Sequence, residues 1–211
     1  PVPGRRVYFH TWAGNIVAAT TSDAVGAGSV PFLGGNPDAT NAGTALAGRP
    51  TYDTKEGLFW VVAQTTGKGG ISLTDSVLVC WSRGPISITG IPGATLGVPS
   101  GGSSAPVNLS ILDALGNPLP VGTSITVAIE FTSSISGILF STTGDLKAGT
   151  PYFIPNAPYV VYPGPNVSDF TFNVVDLSQS GGPVGQQMNV IITVTAPGIG
   201  TISRSFNAVI Q

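Results

Sequence analysis

The chain has 211 residues, of which 42% are hydrophobic and only 9% are charged, and its 8 basic and 10 acidic side chains leave a net charge of -2. Soluble domains usually contain about 25% charged residues, so the solvated surface of this chain is built mainly from Ser, Thr, Asn, Gln and Gly. The near-neutral balance excludes a basic surface that follows phosphates, and nucleic acid is not an expected partner.

Short runs of alternating apolar and polar residues recur between turn residues, and no segment shows sustained helical periodicity. This pattern predicts an all-β protein that begins with a small N-terminal β unit, residues 1–83. Its strands are predicted near Arg6–Trp12, Asn15–Thr20, Gly57–Thr65 and Ile71–Arg83. Residues 21–54 are rich in Gly, Ala, Thr and Pro, so we expect a long irregular loop there.

Residues 84–104 open with Gly84-Pro85 and are predicted to be a linker together with the entry strand of a second domain. In residues 105–211 the alternation becomes regular and predicts a β-sandwich whose core is formed by the inward faces. Those faces are Ile125, Val127, Ile129 and Phe131; Phe170, Phe172 and Val174; Met188, Val190, Ile192 and Val194; and Ile202, Phe206, Ala208 and Ile210, with Arg204 interrupting the last.

The segment Val107–Phe131 reads VNLSILDALGNPLPVGTSITVAIEF. It resembles bacterial immunoglobulin-like repeats of the invasin and intimin kind, in which a strand ends in Asp-x-x-Gly-Asn-Pro-hydrophobic-Pro and the next strand opens after Gly-Thr. The runs Phe170–Val174 and Val190–Phe206 are similar to the final strands of such modules. The resemblance covers about residues 85–211, and residues 1–83 resemble no family.

This resemblance implies an immunoglobulin-like β-sandwich, a cell-surface or secreted location, and a spacer, adhesive or assembly role without a catalytic residue to carry over. In the shared motif, Asp113 and Asn117 suit a turn because their side chains bond nearby backbone, and Gly116 permits a positive φ. The chain contains a single such module and no apolar run of about 18 residues that would span a membrane. These two departures argue against a multi-repeat adhesin stalk.

Reactive side chains are scarce. His10 and Cys80 are the only histidine and cysteine, whereas a zinc site needs three or four protein ligands. No nucleophile motif accompanies His10, and most aspartates lie beside turn residues, where they cap backbone. We therefore expect no enzyme activity, no catalytic residue, no metal site and no cofactor.

Candidate binding residues are aromatic. Tyr152, Tyr159 and Tyr162 lie in a stretch interrupted by prolines, which predicts an edge or an extended loop; these tyrosines either pack on the sandwich or contact a neighbour or a glycan. Tyr8 and Trp12 are further candidate interface residues. Two sequons mark candidate glycosylation sites in a host with that machinery, at Asn108 and Asn166.

The leading hypothesis is a structural subunit of an extracellular filament, pilus-like appendage or surface layer that forms a homo-oligomer or polymer by exchange of a β-strand or loop. The candidate donors are the N-terminal arm through Trp12 and the segment Thr21–Thr54. One alternative is a secreted adhesin or carbohydrate-binding module, with glycans or another surface protein as partner. A second alternative is the globular part of a pilin-like subunit whose helix lies on another chain.

Overall fold

The computed structural model describes residues 2–11, 15–33, 57–80, 82–131, 139–155 and 168–211. Within these residues it confirms the all-β class, with several antiparallel sheets and a β-sandwich. The chain divides into two compact units, Pro1–Trp81 and Ser82–Gln211. No helix in the described residues has the length and apolar character that a membrane span requires.

The described part of the first unit contains β1 (Arg6–Thr11), β2 (Asn15–Ile16), β3 (Ala19–Thr21), β4 (Phe32–Leu33), β5 (Leu58–Thr66) and β6 (Ser72–Cys80). Four of these strands form an antiparallel sheet in the spatial order β3-β1-β5-β6, and β2 pairs with β4. The predicted strand Asn15–Thr20 is thus two strands, because its first residues pair with β4 and its last residues with β1.

Strand β1 lies inside the sheet, between β3 and β5. Its side chains alternate, as the sequence pattern predicts. The half-buried ones are Val7, Phe9 and Thr11, and the exposed ones are Arg6, Tyr8 and His10. Because β1 is hydrogen-bonded on both sides, this part of the predicted donor arm already serves as an inner strand of its own sheet.

Only the first part of the predicted loop 21–54 is described. The Asp23 carboxylate accepts hydrogen bonds from the backbone N–H groups of Val25 and Ala27, both at 2.9 Å, and so closes a tight turn. The chain then reaches β4. Residues 34–54 lie outside the described residues.

The second unit is a β-sandwich. Its strands are β7 (Ser87–Thr89), β8 (Leu96–Val98), β9 (Val107–Leu112), β10 (Ser124–Phe131), β11 (Phe140–Gly144), β12 (Tyr152–Phe153), β13 (Asp169–Asp176), β14 (Gln187–Ala196) and β15 (Gly200–Ile210). One sheet has the order β12-β10-β14-β15-β8 and the other β11-β13-β9-β7. Strands β7-β9-β13-β11 and β10-β14-β15 correspond to the A-B-E-D and C-F-G sheets of an immunoglobulin-like sandwich.

One hydrophobic core lies between these two sheets. Ile125, Phe172 and Ile192 are 0% exposed, and burying a side chain of this size is worth about 1.5–3 kcal/mol. Phe131, predicted on the same inward face as Ile125, is instead 37% exposed. Its ring still meets that of Phe140, in β11 of the facing sheet, edge to face with centroids 5.6 Å apart.

Residues 84–104, which the sequence pattern assigns to a linker and entry strand, contribute two strands to the sandwich. Strand β7 pairs with β9, and β8 runs parallel to the end of β15. Ile88 and Val98 are 9% and 0% exposed, so both belong to the core. Frequent Gly and Pro residues divide this segment into runs that are too short to show alternation. The two runs are strands because they pair with distant strands.

The turn after β9 forms as its residues predict. The Oδ1 atom of Asp113 accepts hydrogen bonds from the backbone N–H groups of Leu115 (2.8 Å) and Asn117 (2.7 Å), and its Oδ2 atom accepts one from Arg83 (2.7 Å). Gly116 has a φ of 71°, a left-handed conformation that glycine adopts without strain. Asp113 therefore joins the start of the second unit to this turn.

Candidate functional site

Tyr8 is the candidate interface residue of the first unit that the structure describes, and it lies on the exposed face of β1. Its side chain is 51% exposed, and the guanidinium carbon of Arg6 lies 5.4 Å from its ring centroid, a cation–π distance. Trp12 lies outside the described residues. Tyr8 and Arg6 thus form an exposed aromatic and cationic pair.

Tyr152 is half-buried in β12, at the edge of the larger sheet of the sandwich. Its ring meets that of Phe170 edge to face, with centroids 5.3 Å apart, and Phe170 is a buried core residue. Tyr152 therefore packs on the sandwich, while the next residue, Phe153, is 59% exposed. Tyr159 and Tyr162 lie outside the described residues.

The sequon residue Asn108 is exposed on β9, beside a shallow groove with a volume of about 340 Å³. Its Oδ1 atom accepts a hydrogen bond from the Thr171 hydroxyl at 2.8 Å. Asp145 and Asp169 also line the groove, and Oδ2 of Asp145 accepts the N–H of Thr171 at 2.7 Å. The groove is open, and its lining combines polar side chains with apolar atoms, including those of Leu109 and Phe170. Asn166, the asparagine of the second sequon, lies outside the described residues.

His10 is exposed on β1, opposite Val62 of β5. Among the described residues, no group of three His, Cys, Asp or Glu side chains lies close enough to hold a metal ion. The acidic residues that are best buried, Asp113 and Asp176, are engaged by backbone N–H groups. The described residues therefore bring no reactive set together around His10.

Asp176, at the end of β13, is 3% exposed. Burial by itself raises the pKa of a carboxyl, but hydrogen bonds from the backbone of Gly101, from the side chain and backbone of Ser178 and from the backbone of Gly182 outweigh it. Together they lower the pKa of Asp176 from 3.8 to about 2. The carboxylate thereby ties the loops on either side of it to β13.

Two long strand edges stand out in the described part of the chain. Strand β6 has nine residues, and β5 is its only partner among the strands that the structure describes. Strand β15 pairs with β14 from Gly200 to Val209, whereas β8 covers its other side only at Ala208–Ile210. The other strands at sheet edges, β2, β3, β4, β7, β8 and β12, are two or three residues long, and β11 has five. Strand β10 lies at the edge of its sheet beyond Val127, which bridges Ala148.

Each long edge carries one charged side chain, a signal that the sequence contains. Asp75 is the only charged residue in β6, and Arg204 is the only one in β15; both are exposed. The apolar side chains two positions from Asp75, Leu73 and Val77, are 54% and 58% exposed. Sequence reasoning missed these residues as a site because it cannot tell an edge strand from an inner one.

Comparisons with known proteins assign no family. No family model matches the chain, and no curated protein sequence matches it. Three solved structures show a remote likeness: a conjugative transposon lipoprotein from Bacteroides eggerthii (9% identity, TM-score 0.34, 58% of this chain and 93% of that one), the tetra-tandem repeat of a large adhesion protein (13%, 0.36, 100% and 42%), and CfaE, the adhesive subunit of CFA/I fimbria of enterotoxigenic Escherichia coli (13%, 0.36, 73% and 57%). The chain thus spans about half the length of the last two.

Proposed function

We propose that this chain is a non-catalytic structural subunit of an extracellular assembly, a filament or a surface layer, whose copies join along strand edges. The observation that carries the proposal is the pair of long edges on β6 and β15. An edge strand presents unpaired N–H and C=O groups and is a template for another strand, so proteins that stay monomeric shorten, twist, charge or cover such edges. Each of these two edges is long and carries a single charged side chain.

The composition supports the same function. A net charge of -2 on 211 residues gives little electrostatic repulsion between copies. The sandwich also contains its own last strand, because β15 pairs with β14 along nearly its whole length. A strand from a neighbouring copy would therefore extend a sheet at its edge and would not replace a missing core strand.

The experiment is light scattering after size-exclusion chromatography, together with negative-stain electron microscopy, on the purified chain over a series of concentrations. Assembly requires that the mass per particle rises with concentration and that regular polymers or sheets appear. A species that stays monomeric at the highest attainable concentration would refute the proposal.

A second candidate function is glycan binding, favoured by the open groove beside Asn108, whose lining includes both polar and apolar groups. Sugar hydroxyls pair with carboxylates, amides and hydroxyls, and the groove offers Asp169, Asn108 and Thr171. A glycan array with the wild-type chain and the Asn108→Ala variant tests it. Binding that persists unchanged in the variant would remove the groove from consideration.

A further inference from the structure

The two long edges are complementary: they carry opposite charges, their apolar and polar side chains alternate in the same order, and their outward backbone groups can face each other. We infer that β6 of one copy pairs antiparallel with the Gly200–Asn207 edge of β15 in a second copy of this chain, with Asp75 opposite Arg204. This inference rests on the proposed function and names the interface that would build the assembly. The pairing would join the sheet β3-β1-β5-β6 of one copy to the larger sandwich sheet of the next.

The outward backbone groups of β6 follow from the hydrogen bonds of its sheet. In β1 the N–H of Phe9 bonds to Ala18, on the β3 side, so the even-numbered residues of β1 bond to β5. The even-numbered residues of β5 therefore bond to β1, and its odd-numbered residues bond to β6. Because Ala63 lies opposite Asp75, the odd-numbered residues of β6 bond to β5. The N–H and C=O groups of Ser72, Thr74 and Ser76 therefore point away from the sheet.

The outward groups of β15 follow in the same way. The N–H of Gln211 bonds to Val98, on the β8 side, whereas the N–H of Ile210 bonds to Gln186, on the β14 side. Because the pairing with β14 is continuous, odd-numbered residues of β15 point away from β14. The outward groups on the open part of this edge are those of Thr201, Ser203, Ser205 and Asn207.

When Asp75 is placed opposite Arg204, the outward N–H and C=O groups of β6 face the outward N–H and C=O groups of β15. The hydrogen-bonded pairs are Ser72 with Asn207, Thr74 with Ser205, and Ser76 with Ser203, and the intervening pairs are Leu73 with Phe206, Asp75 with Arg204, and Val77 with Ile202. Side chains approach most closely at the intervening pairs, with Cα atoms about 4.5 Å apart. The register therefore puts apolar side chains and the opposite charges where contact is closest, and hydroxyl or amide residues where backbone bonds form.

Other pairings of these edges fit less well. A shift of two residues places Arg204 opposite Leu73 or Val77, an apolar side chain. Pairing β6 with a second β6 about its central residue, Ser76, places Asp75 opposite the apolar Val77, and pairing about Asp75 places two aspartates opposite each other. Pairing β15 with a second β15 about Arg204 opposes two arginines, and like charges opposite each other are unfavourable. A contact between two different edges leaves one of each exposed on the end copies, so it can repeat from copy to copy, and it gives an open polymer where the rotation between copies does not close a ring.

Charge reversal tests the pairing. Asp75→Arg and Arg204→Asp each place like charges opposite each other, and each should raise the concentration needed for half-maximal assembly about tenfold. Combining the two substitutions restores opposite charges and should restore assembly. Both side chains are exposed, and far-UV circular dichroism checks that the variants fold. If the single variants assemble as the wild type does, this interface is wrong while the proposed structural function stands.

Disulfide trapping tests the register independently of polymer formation. In a background with Cys80→Ser, chains with Val77→Cys and chains with Ile202→Cys are mixed and oxidised; paired Cα atoms about 4.5 Å apart suit a disulfide. A mixed dimer on a non-reducing gel is expected. Mixing Val77→Cys with Thr171→Cys, an exposed position on the other sandwich sheet, is the control and should give none.

The other outcomes of these experiments distinguish the proposed interface from the proposed structural function. Self-linking of Val77→Cys without a mixed dimer would replace the interface by a symmetric β6 contact and overturn it. A mixed dimer from chains that form only closed pairs would support the interface and refute the filament. A wild-type chain that stays monomeric, together with cysteine variants that give no mixed dimer, would refute both.

Discussion

The substitution Asp176→Asn tests how a buried carboxylate stabilises the sandwich. In the folded protein the pKa of Asp176 is about 2, below its ordinary value of 3.8. One pKa unit is worth about 1.4 kcal/mol, so the charged form stabilises the fold by about 2 kcal/mol. Because the folded state binds this proton more weakly than the unfolded chain, the stabilisation is complete well above pH 3.8 and is lost as the pH falls from there through about 2.

In the variant, one amide oxygen can still accept the N–H groups of Gly101 and Gly182, but the amide nitrogen is a donor that faces the N–H of Ser178. We expect the free energy of unfolding at neutral pH to fall by about 2–3 kcal/mol. The variant should also lose about 2 kcal/mol less than the wild type between pH 5 and pH 2.

The assay is urea unfolding of the full chain, followed by far-UV circular dichroism at a series of pH values from neutral to acidic. The matched control is Asp169→Asn, an exposed aspartate at the start of the same strand, which should leave both the stability and its pH dependence nearly unchanged. If the wild type and Asp176→Asn lose the same stability on acidification, the carboxylate of Asp176 does not supply this acid-sensitive stabilisation and the reasoning is refuted.

Three further predictions concern packing and the turn. Phe172→Ala removes a core ring that is 0% exposed and should cost about 3–5 kcal/mol in urea unfolding; a loss below 1 kcal/mol would contradict the described core. Asp113→Ala leaves three N–H groups without their carboxylate and should cost about 2–3 kcal/mol in the same assay, whereas Asp113→Asn should recover part of it. Tyr152→Ala should lower the melting temperature because its ring packs on Phe170, while Tyr8→Ala, an exposed ring, should leave it nearly unchanged.

Much of the fold follows from local pattern. Alternation in Ser124–Phe131 and Asp169–Asp176 predicts strands with one buried face, because successive side chains of a strand point to opposite sides. Phe172 and Val174 are buried as predicted. Turn residues act equally locally: Asp113 bonds the backbone of its own turn, and Gly116 has the positive φ that its position demands.

Other features could not be read in this way. Ser87–Thr89 and Leu96–Val98 are too short to show alternation, and they are strands because distant residues of β9 and β15 pair with them. Phe131 has the same alternation as Ile125 and contacts Phe140 of the facing sheet, and yet 37% of it is exposed, because how fully a side chain is covered depends on residues far away in the chain. The sequence left two interpretations open for Tyr152, namely packing on the sandwich and contact with a neighbour or a glycan. In the structure its ring packs against that of Phe170.

By itself, the amino-acid sequence determined that this chain forms sheets with few ionisable groups, because the period of two and the scarcity of charge are properties of neighbouring residues and of composition. The tertiary structure alone decided which strands lie inside a sheet and which end it. Partner choice and register depend on residues far apart in the chain, and so Asp75 and Arg204 become the charges of two open edges only when β5 and β14 occupy the opposite sides of their strands.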